Sequence, residues 1–436
     1  MSSYFRISGA VLASLGLTLL PDLKVQNPLI VSINSAAEQA DDYSWHSSIS
    51  ADGKVVAFQS NSTNLTAGDS NAVHDIYLRD LAAGTTDLIS VNQAGFAGNG
   101  ISDFPAISAS GGQVAFLSEA SDLISADGNA YADIFVRDRQ LQQTLRVSLS
   151  SAGSEANGPS YSPAISANGR FVAFVSLSDN LVPADVNGSA DVFVHDLQNQ
   201  ETRLVSVGVG GAPANGASFT PSISGDGRYL AFRSAANNLT ANDNNGQHDI
   251  FLHDLFLGTT EIVSLTATGL PANHRSDYPS LSADGTRVAF RSTATNLVPG
   301  DTNQINDIFV RDRSLQTTRR VNVRNNGQQA NAESFDPAIS ADGRYVVFRS
   351  AASNLVRGDS NQLYDVFCHD LSSNLTERIS VGGNQQQGNG ESWYPSISAD
   401  GTAIAFKCYS TNLGVPDLNQ HSDIYLRRRA RIEITP

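Results

Sequence analysis

Lysine is nearly absent from this 436-residue chain: Lys24, Lys54 and Lys407 are the full set. Arginine brings the cations to 28, against 43 aspartates and glutamates, for a net charge of −15. Such a chain lacks the clustered Lys and Arg that neutralise a phosphate backbone, which argues against nucleic acid as a partner. It favours cations and basic groups instead. Cysteine is limited to Cys368 and Cys408. They fall in neighbouring repeats, so a bridge is conceivable, although buried free thiols are the favoured reading. Long apolar runs are missing as well. Residues 7–20 (ISGAVLASLGLTLL) are too short to span a membrane. Behind Arg6 they have the form of a signal-peptide core, yet no small-x-small cleavage site precedes Pro21. Residues 1–28 are therefore expected to be either an export signal, placing the protein in the periplasm or outside the cell, or a non-repeat cap. Catalytic signatures are absent too: there is no Gly-x-Ser-x-Gly elbow, no His-Glu-x-x-His and no phosphate-binding glycine loop.

What is present is a repeat. An apolar residue within Ser/Ala-Ile-Ser-x-x-Gly recurs every 58 residues, as Ile49, Ile107, Ile165, Ile223, Leu281, Ile339 and Ile397. A unit this small cannot bury its own face and must stack on its neighbours, so the repeat overrides the several-domain prior that length alone suggests. In the fifth unit, Tyr278–Ser282 reads as a strand opened by Pro279, and Ala283-Asp284-Gly285 as a hairpin turn. Residues 287–292, 307–312 and 317–323 follow as three more strands. Four strands per unit make a propeller blade. The fold expected is all-β: a seven-bladed β-propeller over residues 29–436. Residues 29–34 (LIVSIN) look like a fourth strand standing ahead of the first unit, and are expected to complete the last blade and remove its free edge. The phenylalanines Phe58, Phe116, Phe174, Phe232, Phe290, Phe348 and Phe406 are assigned to packing between blades.

Strand alternation puts the long two–three and four–one loops on one face, the expected working surface. The two–three loop carries Asp-x-Asn-x-x-x-Asp in every unit: Asp69/Asn71/Asp75, Asp127/Asn129/Asp133, Asp185/Asn187/Asp191, Asp243/Asn245/Asp249, Asp301/Asn303/Asp307, Asp359/Asn361/Asp365 and Asp417/Asn419/Asp423. Oxygen donors at positions 1, 3 and 7 are what Ca²⁺ requires. Asx-turns use the same residues, and position 5 offers no fixed ligand, so turn formation is favoured over ion binding. The four–one loop carries Asn-Gly-x-Ser variants, again read as turns. The residue after that serine is Trp45, Asp103, Tyr161, Phe219, Asp277, Phe335 or Trp393. If the innermost strand lines the channel, these residues ring its mouth. Aromatic faces with interspersed acids suit sugar rings or a basic peptide. The competing reading packs half of them against the next blade. His195, His253 and His369 share a third-strand position with arginines and read as a polar surface position, while His74, His248 and His421 read as solvated loop residues.

Pro-x-Ile-Ser-x-Asp-Gly, Val-Ala-Phe-x-Ser and Asp-Ile-Phe-Val-Arg-Asp, clearest over residues 279–312, resemble the TolB-like, WD-like propeller repeat of bacterial proteins. The resemblance covers about residues 29–428. It implies the propeller fold. TolB itself has six blades and an added N-terminal domain, so its role does not carry over. The function expected is a non-enzymatic, extracytoplasmic binding or scaffold module for a protein or polysaccharide, without a transmembrane span. A calcium-binding propeller and a hydrolase or lyase working at the channel mouth through Asp103 and Asp277 are the alternatives.

Overall fold

The computed structural model describes residues 27–125, 127–414 and 416–429. The apolar run 7–20 and the tail beyond residue 429 lie outside the described residues.

Seven four-stranded antiparallel sheets make a seven-bladed β-propeller. Blade 1 consists of Ser44–Ile49, Val55–Ser60, Asp75–Asp80 and Thr85–Leu88, and each later blade repeats this order. Blade 7 has Ser392–Ile397, Ala403–Cys408 and Asp423–Arg428, and takes its fourth strand from Leu29–Ile30. Leu29 pairs with Leu426 and Ile30 with Tyr425, so the two ends of the repeat region share one sheet. The expected strand over 29–34 is shorter as a ladder, but Val31 still donates its N–H to the Ile424 carbonyl.

Between sheets lies the core. Each recurring phenylalanine of the second strand is fully buried and stacks on an aromatic residue of the third strand. Examples are Phe58 on Tyr77 at 5.9 Å and Phe290 on Phe309 at 5.9 Å between centroids. The seam is packed like the other interfaces: Ala403, Ala405, Ile424 and Leu426 of blade 7 meet Val56 and Phe58 of blade 1. Cys368 and Cys408 are free, buried thiols in one apolar cluster, and burial pushes the Cys368 thiol up to about 12.

Two details differ from expectation. The innermost strand of blade 5 is Ser276–Leu281, so Pro279 sits inside it rather than opening it. The strand is bulged there: Asp277 pairs with Arg291 and Ser280 with Ala289, and Tyr278 takes φ 51°. The same left-handed residue precedes the proline in blades 2 to 7. A proline is tolerated in a strand at such an irregularity, where no ladder N–H is needed. The third-strand histidines are also not on the surface. His195 and His369 are buried, and the ring Nδ1 of each lies within hydrogen-bond distance of Thr202 or Thr376. Arg79 and Arg311 use the same position to bond Thr86 and Thr318. The position is a buried polar bridge within the blade.

Candidate functional site

The long-loop face is built from two buried hydroxyl and carboxylate systems. In the first, the serine that opens each innermost strand bonds the serine that ends the second strand, as Ser102 does with Ser118 at 2.9 Å. In blade 7 the partner is Cys408. In the second, the Asp that opens the third strand is fully buried and accepts from a side chain ahead of the next blade. Ser90 donates to Asp75, Ser148 to Asp133 and Ser206 to Asp191, each at 2.5 Å. Across the seam Ser32 donates to Asp423 at 2.6 Å. The Ser206 oxygen also accepts the Val192 N–H. The Asn-Gly residues of the four–one loop clamp loop to loop: Asn99 donates to Ser121 Oγ and accepts the Ser121 N–H.

The asparagines of the two–three loop do not fit the place they were given in the calcium alternative. The reason is which end of each amide faces the carboxylates. Asn129, Asn187, Asn245, Asn303 and Asn361 turn the amide nitrogen, a donor, toward the Asp four residues on, at 2.9, 2.6, 2.5, 3.3 and 3.2 Å. The oxygen that a cation would need points back and accepts the N–H two residues on, from Tyr131, Ser189, Gln247, Ile305 and Leu363. Asn71 and Asn419 use their oxygens in the same way, on the N–H groups of Val73 and His421. Their nitrogens donate to the Gly98 and Ala40 carbonyls of the four–one loop. Asn187 reaches Ala214 likewise. The oxygen at position 3 is thus spent on an Asx-type turn, and Asp417 is drawn into the same turn by the Asn419 and Gln420 N–H groups. Among the described residues no three His, Cys, Asp or Glu side chains converge to hold a metal ion.

On the propeller axis is a cavity of about 360 Å³, lined by the third and fourth residues of all seven innermost strands. Its third-residue ring is His46, Phe104, Ser162, Thr220, Tyr278, Asp336 and Tyr394. These are the left-handed bulge residues, one place beyond the set expected from the sequence. The expected set stands at the strand entrance, where side chains of the same blade and of its neighbours engage most of it. Trp45 stacks on Tyr43 and His74. Asp103 accepts from His74 Nδ1 at 2.9 Å, which raises the histidine's pKa. Phe219 lies under the Arg233 guanidinium. Phe335 and Trp393 both meet Tyr364 edge-on. Tyr161 stays exposed.

Asp277 is enclosed by Arg233, Arg275 and Arg291 at 2.9, 2.5 and 2.9 Å. Burial alone would raise its pKa, but the three guanidinium bonds outweigh that and hold it below the usual carboxylate range. Both expected acids are therefore already partnered within the protein.

Sequence reading missed the cations beside them. The variable position of Val-Ala-Phe-x-Ser, paired with the strand-entrance residue, is Gln59, Leu117 and Val175 in blades 1 to 3, but Arg233, Arg291, Arg349 and Lys407 in blades 4 to 7. Four successive cations at one register position in so acidic a chain were visible as a pattern. Arg349 lies over Phe335, Tyr364, Trp393 and Tyr394, at 4.3 Å from the Trp393 centroid, and pairs with Asp336 at 2.6 Å. Lys407 is buried beneath Trp45, Trp393 and Tyr409 at 5.4, 5.6 and 4.6 Å. Burial pulls its amine down to about 8, with Glu391 opposing and Arg349 reinforcing the shift. On the axis, burial likewise holds His46 down at about 4, against its bond to Gln59. One half of the mouth is thus a cationic, aromatic arc. A further cavity, about 670 Å³, lies away from the axis between blades 5 and 6, beside Arg324, Arg357 and Arg378.

No protein-family model and no curated protein sequence matches the chain. Solved structures do. An oligogalacturonate lyase in complex with manganese is 13% identical, with 89% of each chain covered and a TM-score of 0.52. The β-propeller domain of the Trilobed protease from Pyrococcus furiosus is 11% identical over 91% of this chain and 98% of that one, with a TM-score of 0.53. A putative TolB from Agrobacterium tumefaciens is 14% identical over 79% and 94%, with a TM-score of 0.42. At such identities the first two establish the propeller fold alone, and the third falls too low to add to it. Among the described residues no helix is long and apolar enough to cross a membrane.

Proposed function

We propose that this chain is a non-enzymatic binding propeller that holds a glycan bearing carboxylates across the channel mouth of its long-loop face. The observation that carries this reading is the arc of Arg233, Arg291, Arg349 and Lys407 set among aromatic rings on one side of the axis. Sugar rings stack on aromatic faces. A carboxylate on the sugar is drawn to guanidinium and ammonium groups held where water is partly excluded. The chain as a whole is acidic and repels such a polymer, so attraction depends on local groups of cations such as this arc. Tyr43, Tyr278 and Tyr409 present exposed rings on which a chain could lie. The expected basic ligand is less well served, because in this cluster Asp277 and Asp336 are outnumbered by Arg233, Arg275, Arg291, Arg349 and Lys407, and Asp103 is held by His74. The apolar run behind Arg6 supports placing this binding outside the cytoplasm.

One arrangement favours the lyase alternative: the His74–Asp103 pair and the depressed Lys407 amine are candidate bases at the same mouth. A single titration separates the readings. Oligogalacturonate and an uncharged oligosaccharide of equal length are added while tryptophan fluorescence is followed, with absorbance near the unsaturated-uronate band as a second channel. Saturable quenching by the acidic sugar alone, lost in Arg349→Met and without new absorbance, is the expected result. Growth of the absorbance band would make the protein a lyase. No response to any acidic glycan would remove the glycan reading.

A further inference from the structure

The seven Asp-x-Asn-x-x-x-Asp loops share one backbone plan but differ in what faces their two aspartates. In blade 2, Arg146 at the end of the fourth strand sends Nη1 between them, 3.0 Å from Asp127 Oδ1 and 3.2 Å from Asp133 Oδ2. Blade 5 repeats this, with Arg320 3.1 Å from Asp301 Oδ1 and 3.2 Å from Asp307 Oδ2. In blade 6, Arg378 is 3.3 Å from both Asp359 Oδ1 and Asp365 Oδ2. Blade 1 has no arginine, but the Tyr77 hydroxyl donates to Asp69 Oδ2. Blade 7 carries Tyr425 at the same strand position, but its hydroxyl goes to the Ser410 carbonyl; the first aspartate there, Asp417, is only half-buried and accepts the Asn419 and Gln420 N–H groups.

Blades 3 and 4 have neither. The arginine position holds Leu204 or Ile262, and the tyrosine position holds Phe193 or Phe251. Asp185 and Asp191 are 4% and 0% exposed, and Asp243 and Asp249 are 8% and 0% exposed. The oxygen left without a hydrogen-bond partner is Asp185 Oδ1 in one blade and Asp243 Oδ1 in the other. That atom corresponds to the one the arginine meets in blades 2, 5 and 6. An unpaired buried carboxylate beside a second carboxylate is costly. Burial, reinforced by the neighbouring Asp, pushes Asp185 up to about 6.

We propose that blades 3 and 4 each bind one calcium ion between their paired aspartates, Asp185 with Asp191 and Asp243 with Asp249, where three sibling blades place a guanidinium. The arginines show that the space accepts a positive charge in contact with both carboxylates. Two carboxylate ligands in a buried oxygen-rich loop suit a hard cation, with water completing the shell. A set of only two acids per site implies weak binding, in the range of extracellular modules at about 10⁻⁴–10⁻³ M. The ions would act as internal staples of the fold and stabilise it by mass action.

The test is calcium titration of the full chain after EDTA treatment, by calorimetry and thermal melting, with Mg²⁺ as control. Two sites per chain and a calcium-specific rise of several degrees in Tm are expected. The Leu204→Arg/Ile262→Arg double variant imports the sibling solution. It should melt above the wild type in EDTA and lose the calcium response. Asp185→Asn/Asp243→Asn should lose that response too, and near-UV dichroism identifies any variant that has not folded. Absence of calcium binding, a stoichiometry of seven, or an unchanged response in a folded arginine variant would each overturn the assignment.

Discussion

Lys407 is an amine held out of water among three aromatic rings. Its lowered pKa has a definite sign. Between about 8 and the ordinary 10.5 the unfolded chain binds the proton and the native protein does not. Stability therefore rises with pH through that window, and the full deficit, on the order of 3 kcal/mol, is present below it. The chain has two tryptophans, Trp45 and Trp393, and both face this amine. Their fluorescence should titrate with a midpoint near 8, and Lys407→Met should abolish the step. A flat profile over pH 7–10 in the wild type would show that the amine keeps its ordinary pKa. At this scale the sequence was half legible. The strand-entrance ring could be numbered, yet the residues lining the axis lie one place further on. Side-chain alternation assumes an unbroken strand, and a residue at φ 51° followed by proline breaks it. The loop asparagines could be numbered too, but not the way an amide such as Asn129 or Asn245 faces, which decides whether it offers an oxygen or a donor. The cation at Val-Ala-Phe-x-Ser was readable, but the position is charged only in blades 4 to 7, so a repeat consensus averages it away.

The loop and the strand it feeds act as one element. Ser380 donates to buried Asp365 at 2.5 Å and accepts the Val366 N–H at 3.1 Å. Ser380→Ala removes both bonds and leaves a buried carboxylate oxygen without its hydroxyl. A loss of about 1–3 kcal/mol is expected from urea unfolding. A change within a few tenths of a kcal/mol would mean that Arg378 alone secures the loop. Spacing places the second and third strands of blade 5 to the residue, because Asp-Gly turns and apolar runs bound them on both sides. The ladder of the fourth strand ends at Arg320, three residues earlier than its β-type composition suggests. It is the outer strand, and its last residues leave the ladder to reach the next blade. The paired serines at the innermost strand were read as turn formers, since their partners lie 16 residues away on a neighbouring strand and only the register reveals them.

For the whole molecule, the decisive contacts lie at the seam. Ile30 is buried in the cluster joining blades 6 and 7, while Val31 packs between blades 7 and 1. Ile30→Ala should cost about 2–4 kcal/mol. Hydrogen exchange should accelerate first in blades 6 and 7, and equal acceleration in all seven would indicate that the ring opens as one unit. The ring and its closure were legible because a period without insertions counts the blades and the leftover strand identifies the joint. The partner was not legible, since it depends on which side chains differ between blades rather than on what they share.

That joint also sets an order of events in time. Residues 29–30 must wait for residues 425–426 before they have a ladder. During synthesis, six sheets can stack while Val56 and Phe58 of the first remain wet, and the final sheet has only three strands. A growing chain therefore carries an apolar flank and an unpaired edge until residues 425–426 are made. Premature release or truncation near residue 426 is then a route to aggregation rather than to a smaller, stable ring.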